Sequence, residues 1–349
     1  MNKNIIITGG LGYIGSNTCI QIPKYYNNII IIDNLSNSDE SVLEKIKYLN
    51  KKQKIIFYPV DLLDLDELEN IFNIYRPYSV IHFAGLKSVY QSIKDPYTYY
   101  NTNLQTTLNL LKIMIKYKCN NLIFSSSAAV YGDIESPMCE PDIYNNNNIT
   151  SPYGNTKYIN EIILKDFCKS YSKLNIISLR YFNPIGCDKS YLLGENPNNI
   201  PNNLMPYILK VAVNNNLSHN YGNIYNKLNI YGDTYNTIDG TCERDFIHVV
   251  DLANAHICAL HKINNFNGYN VFNVGTGIPT SVLRLVNTFK EVNKVNIPFN
   301  IVSKREGDIS VSYCDYSKIK KILGWTPKYD ITDMCLDSWN FQQQLVDNK

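Results

Sequence analysis

The chain has 349 residues, of which 44% are apolar and 18% charged, with 33 Lys and Arg against 31 Asp and Glu. That length is roughly two domains' worth and buries a sizeable core unaided, while a net charge of +2 provides no field for gathering nucleic acid or an anionic membrane. The apolar run Ile29 to Ile32 is far short of a ~20-residue span, MNKNIIITGG lacks a signal peptide's apolar core, and the nine cysteines show no C-x-x-C pair or His at ligand spacing, so a cytoplasmic chain with reduced thiols, no metal and no membrane segment is expected.

Lys3 to Thr8 is a short apolar run ending in glycines and predicts a strand. After a stretch of helix length, Ile29 to Asp33 repeats the signal, as do Ile55 to Val60 and Ser79 to Phe83. In Pro96 to Cys119, Leu104, Leu108, Leu111 and Ile115 fall three and four apart, as on one helix face. The strand signal Asn121 to Ser125, the helical stretch Gly154 to Tyr171 and the strand signal Asn175 to Arg180 follow. Strands alternating with helices predict an α/β fold, a Rossmann-type doubly wound parallel sheet covered on both faces. Past Tyr181 the texture turns to Pro, Gly and Asn with short elements, which predicts a smaller C-terminal α/β lobe. Asp251 to Ile263 reads as a helix returning to the first domain. The expected division is 1–181 with 236–263 for the nucleotide, and 182–235 with 264–349 for the substrate. The asparagine runs at 145–148 and 214–216 read as loops.

Directly after the first strand, Gly9, Gly12 and Gly15 make a Gly-x-x-Gly-x-x-Gly turn that also holds Tyr13 and Ile14. Without Cβ atoms a pyrophosphate can approach this backbone, and the following helix offers its free N–H groups and positive dipole end. Asp33 lies 18 residues beyond Gly15, where a carboxylate accepts hydrogen bonds from both adenosine ribose hydroxyls and disfavours a 2′-phosphate. NAD is therefore the expected cofactor. Asp61 and Leu62, at the end of the third strand, suit either an adenine contact or a simple helix cap.

A second constellation begins at Ser125-Ser126-Ser127 on a strand end and continues with Tyr153-Gly154-Asn155-Thr156-Lys157. Tyr153 and Lys157, at i and i+4, share a helix face, so an ammonium can favour the phenolate and draw the tyrosine pKa from ~10 toward neutrality. Tyr153 would then serve as a general base, with Ser127 hydrogen-bonding the same substrate oxygen.

These motifs, together with IDNLSNS (32–38), IHFAGLKSV (81–89), FSSSAAVYGD (124–133), LRYFNPIG (179–186), IPNNLMPYI (200–208), DGTCERDFIHVVDLA (239–253) and REGD (305–308), identify a resemblance that runs through nearly the whole chain. It resembles the extended short-chain dehydrogenase/reductases and, within them, the UDP-galactose 4-epimerase (UDP-glucose 4-epimerase) family. The resemblance implies a UDP-sugar substrate, C4 epimerisation through a 4-keto sugar with retained NAD, and a homodimer pairing the helices of 96–119 and 153–171. Along the cofactor it places Asn34, Ser36, Asn37, Ser38, Phe83, Ala84, Gly85, Lys87 and Tyr181, with Lys157 on the nicotinamide ribose. Toward the substrate it places Lys87, Ser127, Tyr153, Phe182, Asn183, Asn202, Asn203, Leu204, Tyr231 beside the uracil, Arg244, Arg305 and Asp308. Seven places after Arg305 it puts Ser312 near the sugar's C2 substituent, where a small side chain leaves room for an N-acetyl group. Other readings stay open: a nucleotide-sugar dehydratase, disfavoured because Ala128-Ala129 stand where an acid pair is needed, a nucleotide-sugar reductase or NAD-consuming dehydrogenase, and a non-catalytic NAD-binding regulator.

Overall fold

In the computed structural model, which describes residues 3–142, 148–198, 200–305 and 308–347, the isoleucine-rich runs form strands that pair in parallel. Asn145 to Asn147 of the first asparagine run, and Glu306 and Gly307 of REGD, lie outside the described residues. The first half runs β1 (Lys3–Thr8), α1 (Tyr13–Cys19), β2 (Tyr26–Ile32), α2 (Ser41–Leu49), β3 (Lys54–Tyr58), α3 (Leu65–Tyr75), β4 (Ser79–His82), α4 (Val89–Lys94), α5 (Pro96–Lys116), β5 (Asn121–Ser127), α6 (Pro152–Ser170) and β6 (Asn175–Tyr181). The second runs β7 (Asn183–Ile185), α7 (Leu204–Asn216), β8 (Leu228–Tyr231), β9 (Glu243–His248), α8 (Val249–Lys262), β10 (Gly268–Val274), β11 (Pro279–Ser281), α9 (Val282–Asn293), β12 (Phe299–Val302), β13 (Val311–Ser312), α10 (Ser317–Leu323) and α11 (Ile331–Asp347).

The main sheet has seven parallel strands in the order β10-β6-β5-β4-β1-β2-β3. Side chains alternate across it: Ile5, Ile7, Ile29, Ile31 and Ile81 pack with Leu252 and Leu260 of α8 on one face. Ile6, Ile30, Val80 and Phe124 pack with Leu110 and Met114 of α5 and Leu164 of α6 on the other. Burial on both faces explains why these strands read as continuous apolar runs. Strand order reverses between β1 and β4, so a crevice opens at the carboxyl ends of the central strands, the usual ligand position in such sheets.

The chain leaves β6 and within two residues enters the smaller lobe at β7. There β9 pairs with β7, β11 and β13, and β8 pairs with β12. Met205, Ile208, Phe246, Phe289 and Trp339 form its core. The division expected from sequence differs here in two places. β10, within the stretch assigned to the lobe, is the edge strand of the main sheet. β9, within the stretch expected to return, pairs in the lobe's sheet although its Ile247 joins the first core, and α8 packs back against that core. Strand pairing is non-local, and neither sequence segment carries a sign of its partner.

Candidate active site

The glycine turn fits a pyrophosphate for reasons that differ along it. Gly9 has φ +67°, and a Cβ there would lie 2.7 Å from the Ala84 nitrogen. A Cβ on Gly15 would lie 2.3 Å from the Gly9 carbonyl oxygen, so its bare Cα lets α1 seat on the turn. A Cβ on Gly12 would meet only the Gly9 oxygen, at 3.2 Å, which leaves that side open to a ligand. Gly12 also occupies the N-cap of α1 without a side-chain cap, so the first-turn N–H groups stay available. Ile14 is half-buried against the first core, and the Tyr13 hydroxyl donates to the Gly186 carbonyl at 2.6 Å.

Asp33 follows β2 and is nearly buried. Its Oδ2 accepts from the Leu11 N–H at 3.1 Å, and its Oδ1 from the Leu35 N–H at 3.0 Å and the Ser38 hydroxyl at 2.8 Å. The carboxylate thus clamps the glycine turn to the loop after β2, where Asn34, Ser36 and Asn37 are exposed. Asp61 accepts from the Asn34 amide at 2.8 Å beside this loop, whereas Leu62 is buried in the core. Across the crevice, Phe83 packs on His256 with ring centroids 4.8 Å apart, and the Ala84 N–H reaches Thr8 Oγ1 at 3.4 Å. Gly85, at φ +154°, leaves 3.1 Å between a would-be Cβ and Asn103 Oδ1.

Ser151 caps α6 through the Gly154 N–H, and Pro152 occupies its first turn. This start puts Tyr153 and Lys157 one turn apart on the same face of α6. The Lys157 ammonium lies 6.0 Å from the Tyr153 ring centroid and donates to the Ser125 carbonyl at 2.7 Å. β5 extends two residues past its expected end, so Ser127 is its last residue. The electrostatics depart from the sequence expectation. Burial raises the Tyr153 hydroxyl above its ordinary value, a hydrogen bond with Ser127 draws it partway back, and Tyr99 adds to the rise. Burial also pushes Lys157 down to about 8, against the pull of Glu161. In the chain alone, desolvation of the phenol therefore outweighs the Ser127 hydrogen bond that favours the phenolate. Tyr181 is buried and bonds to His256.

Among the substrate candidates, Tyr231, Arg305 and Asp308 come together: the Arg305 guanidinium lies 4.3 Å from the Tyr231 ring centroid, and its Nε bonds Asp308 at 3.2 Å. The asparagine run 214–216, expected as a loop, instead forms the last turn of α7, where Asn215 and Asn216 donate back to the Val211 and Ala212 carbonyls; the segment from there to β8 folds over it, with Asn214 joining Tyr221 N–H and Gly222 O. Arg244 pairs in register with Ser312, which is buried with its hydroxyl 3.8 Å from the Met138 sulfur. Tyr313, just beyond β13, turns its N–H to Ser136 Oγ at 3.3 Å. Phe182 packs against Val130, Met138 and Cys314, and Asn183 pairs with Phe246. Asn202 and Asn203 are exposed ahead of Leu204, the first residue of α7. Lys87, which the resemblance places along the cofactor and toward the substrate, forms an ion pair with Glu195 at 2.7 Å.

Three supports escaped the sequence reading. Asn103 on α5 accepts from the Leu86 N–H at 2.8 Å and donates to Thr156 at 3.0 Å, tying the loop after β4 to α6. A polar residue on the buried stripe of a helix was its only signal. Glu161, one turn beyond Lys157, holds Arg180 at 2.7 Å in a buried ion pair. Glu195 carried no local signal at all.

The model of the NAD dependent epimerase/dehydratase family matches residues 5–275. The chain is 44% identical to the UDP-glucose 4-epimerase of Dictyostelium discoideum over 343 residues, covering 98% of this chain and 96% of that protein. Its structure is similar to UDP-glucose-4-epimerase from Stenotrophomonas maltophila with bound NAD and formylated UDP-arabinopyranose, with a TM-score of 0.92, 38% identity and full coverage of both chains (100% each). It is also similar to the Bifidobacterium longum UDP-glucose 4-epimerase in complex with NAD+ and UDP, with a TM-score of 0.91 and 39% identity over 99% of this chain and 100% of that one.

Proposed function

The chain belongs to the NAD-dependent epimerase/dehydratase family, and from that premise we propose that it interconverts UDP-galactose and UDP-glucose at C4 of the hexose. The observation that carries this reading is the convergence of Ser127, Tyr153 and Lys157 at the carboxyl end of β5, across the crevice from the open glycine turn. NAD, when bound, would supply the hydride acceptor and then the donor, and the turn, the first-turn N–H groups of α1 and Asp33 would hold it. Tyr153 removes the proton of the sugar's 4′-hydroxyl as hydride leaves C4′, and returns it once the 4-keto sugar has turned its other face. Ser127 steadies the oxygen on which charge develops. Lys157, kept next to the phenol, stabilises the phenolate formed in each half-reaction.

Arg244 and Arg305 supply guanidinium forks suited to a diphosphate, and Asn183, Asn202 and Asn203 supply amides for phosphate and sugar hydroxyls. Tyr231 offers a ring face to the uracil. Ser312, small beside Met138, leaves room for an N-acetyl group, so UDP-N-acetylglucosamine and UDP-N-acetylgalactosamine are further substrates. The active form is a homodimer built on α5 and α6, in a cytoplasm whose reducing poise suits the free cysteines.

Incubation of purified protein with UDP-galactose and no added NAD, followed by chromatography of the sugar nucleotides, tests the reading. UDP-glucose is the expected product. A dehydrated sugar, net growth of NADH absorbance, or no turnover overturns it. Tyr153→Phe is expected to lose at least about a hundredfold in kcat, the usual contribution of a general acid–base group; near wild-type kcat removes Tyr153 from the role.

A further inference from the structure

Glu195 lies between β7 and α7 with only 10% of its side chain exposed. One of its oxygens, Oε1, accepts from Lys87 Nζ at 2.7 Å and from Asn203 Nδ2 at 2.7 Å. Lys87 comes from the loop after β4, in the cofactor half, and Asn203 precedes α7, in the smaller lobe. The donors are 108 and 8 residues from Glu195 along the chain, so this single carboxylate joins the two walls of the crevice. Asn203 occupies the N-cap of α7 yet makes no side-chain cap bond there; its amide is turned to Glu195.

We propose that Glu195 is a positioning residue that presets Lys87 and Asn203 for the diphosphate of the substrate, a role that rests on the reading of the crevice as a UDP-sugar site. The donor count favours positioning over competition. An ammonium has three N–H donors and an amide two, so one bond each to Glu195 leaves donors free for an incoming anion. The Lys87 side chain remains 52% exposed, which leaves its ammonium open to a ligand while its mobility is restrained. Without that restraint the ligand has to order the lysine itself, which weakens binding.

The test is calorimetric titration of the NAD-loaded protein with UDP, in the wild type, Glu195→Gln, Lys87→Met and the double variant. Glutamine keeps the shape and removes the charge. The expected result is a Kd about tenfold weaker in Glu195→Gln, with the loss in turnover appearing in KM rather than kcat. The double variant is expected to lose less than the sum of the two single losses, because part of the effect of Glu195 runs through the lysine and part through Asn203. A Kd for Glu195→Gln within about twofold of the wild type overturns the role, as do fully additive losses. A wild type that fails to bind UDP overturns the UDP-sugar reading and the role with it, an outcome distinct from the other two.

Discussion

At Lys157 burial and function pull in opposite directions. The amine titrates at about 8 in the folded chain and near ~10.4 when unfolded. Below pH 8 both states are protonated and the cost of burying the charge is fully present. Between the two values the folded chain has released a proton that the unfolded chain keeps, so stability rises with pH. Lys157→Met removes the effect while leaving Ser125 O without its side-chain donor at every pH. The melting temperature of the wild type relative to Lys157→Met is therefore expected to rise from pH 7 to pH 9.5. An unchanged difference would mean that Lys157 is not depressed. Ser312 tests specificity at the same scale. Ser312→Tyr is expected to abolish conversion of UDP-N-acetylglucosamine and spare UDP-galactose, since a clash excludes a ligand more surely than a missing contact weakens it. Retained acetylated turnover would place the C2 pocket elsewhere.

The turn between β1 and α1 separates two uses of glycine. A methyl on Gly15 would stand 2.3 Å from the Gly9 oxygen and 2.8 Å from the Gly10 Cα, both backbone atoms with no freedom to yield. A methyl on Gly12 meets one oxygen at 3.2 Å and otherwise points into the open crevice. Gly15→Ala is therefore expected to lower the melting temperature of the cofactor-free protein by several degrees, consistent with about 1–3 kcal/mol of overpacking. Gly12→Ala is expected to melt within about two degrees of the wild type and still to purify with less NAD, because the methyl occupies the pyrophosphate's approach. Equal NAD content in Gly12→Ala would remove the turn from cofactor binding.

For the molecule as a whole, the surface over the neighbouring helices α4, α5 and α6 is one place where several apolar groups remain uncovered. Tyr90, Ile93 and Tyr97 are 62%, 50% and 78% exposed, and Ile162 is 42% exposed. Tyr100, Leu104, Ile159 and Phe167, half-buried on α5 and α6, continue the same apolar character. Exposed apolar groups on three neighbouring helices suit association, and self-association of identical chains is the commonest way to cover them. Light scattering at micromolar concentration is expected to return twice the mass of one chain. The pair Tyr97→Asp with Ile162→Asp is expected to return a single chain's mass. A wild type of single-chain mass would rule the dimer out.

The sequence by itself determined the features whose causes are local. Isoleucine runs bounded by turn residues marked β1 and β2, because a strand buried on both faces needs little but β-branched apolar residues. Glycine spacing marked the turn, and the i, i+4 spacing put Tyr153 and Lys157 on one helix face. Only the tertiary structure decided what depends on distant partners. It put β10 beside β6 and joined Lys87 to Glu195 across 108 residues. It stacked Arg305 on Tyr231, and it buried Tyr153 enough to raise its hydroxyl in the chain alone, where a fall was expected. The physical reason is that desolvation and pairing depend on everything packed around a group, whereas periodicity and turn chemistry depend on a few residues on either side.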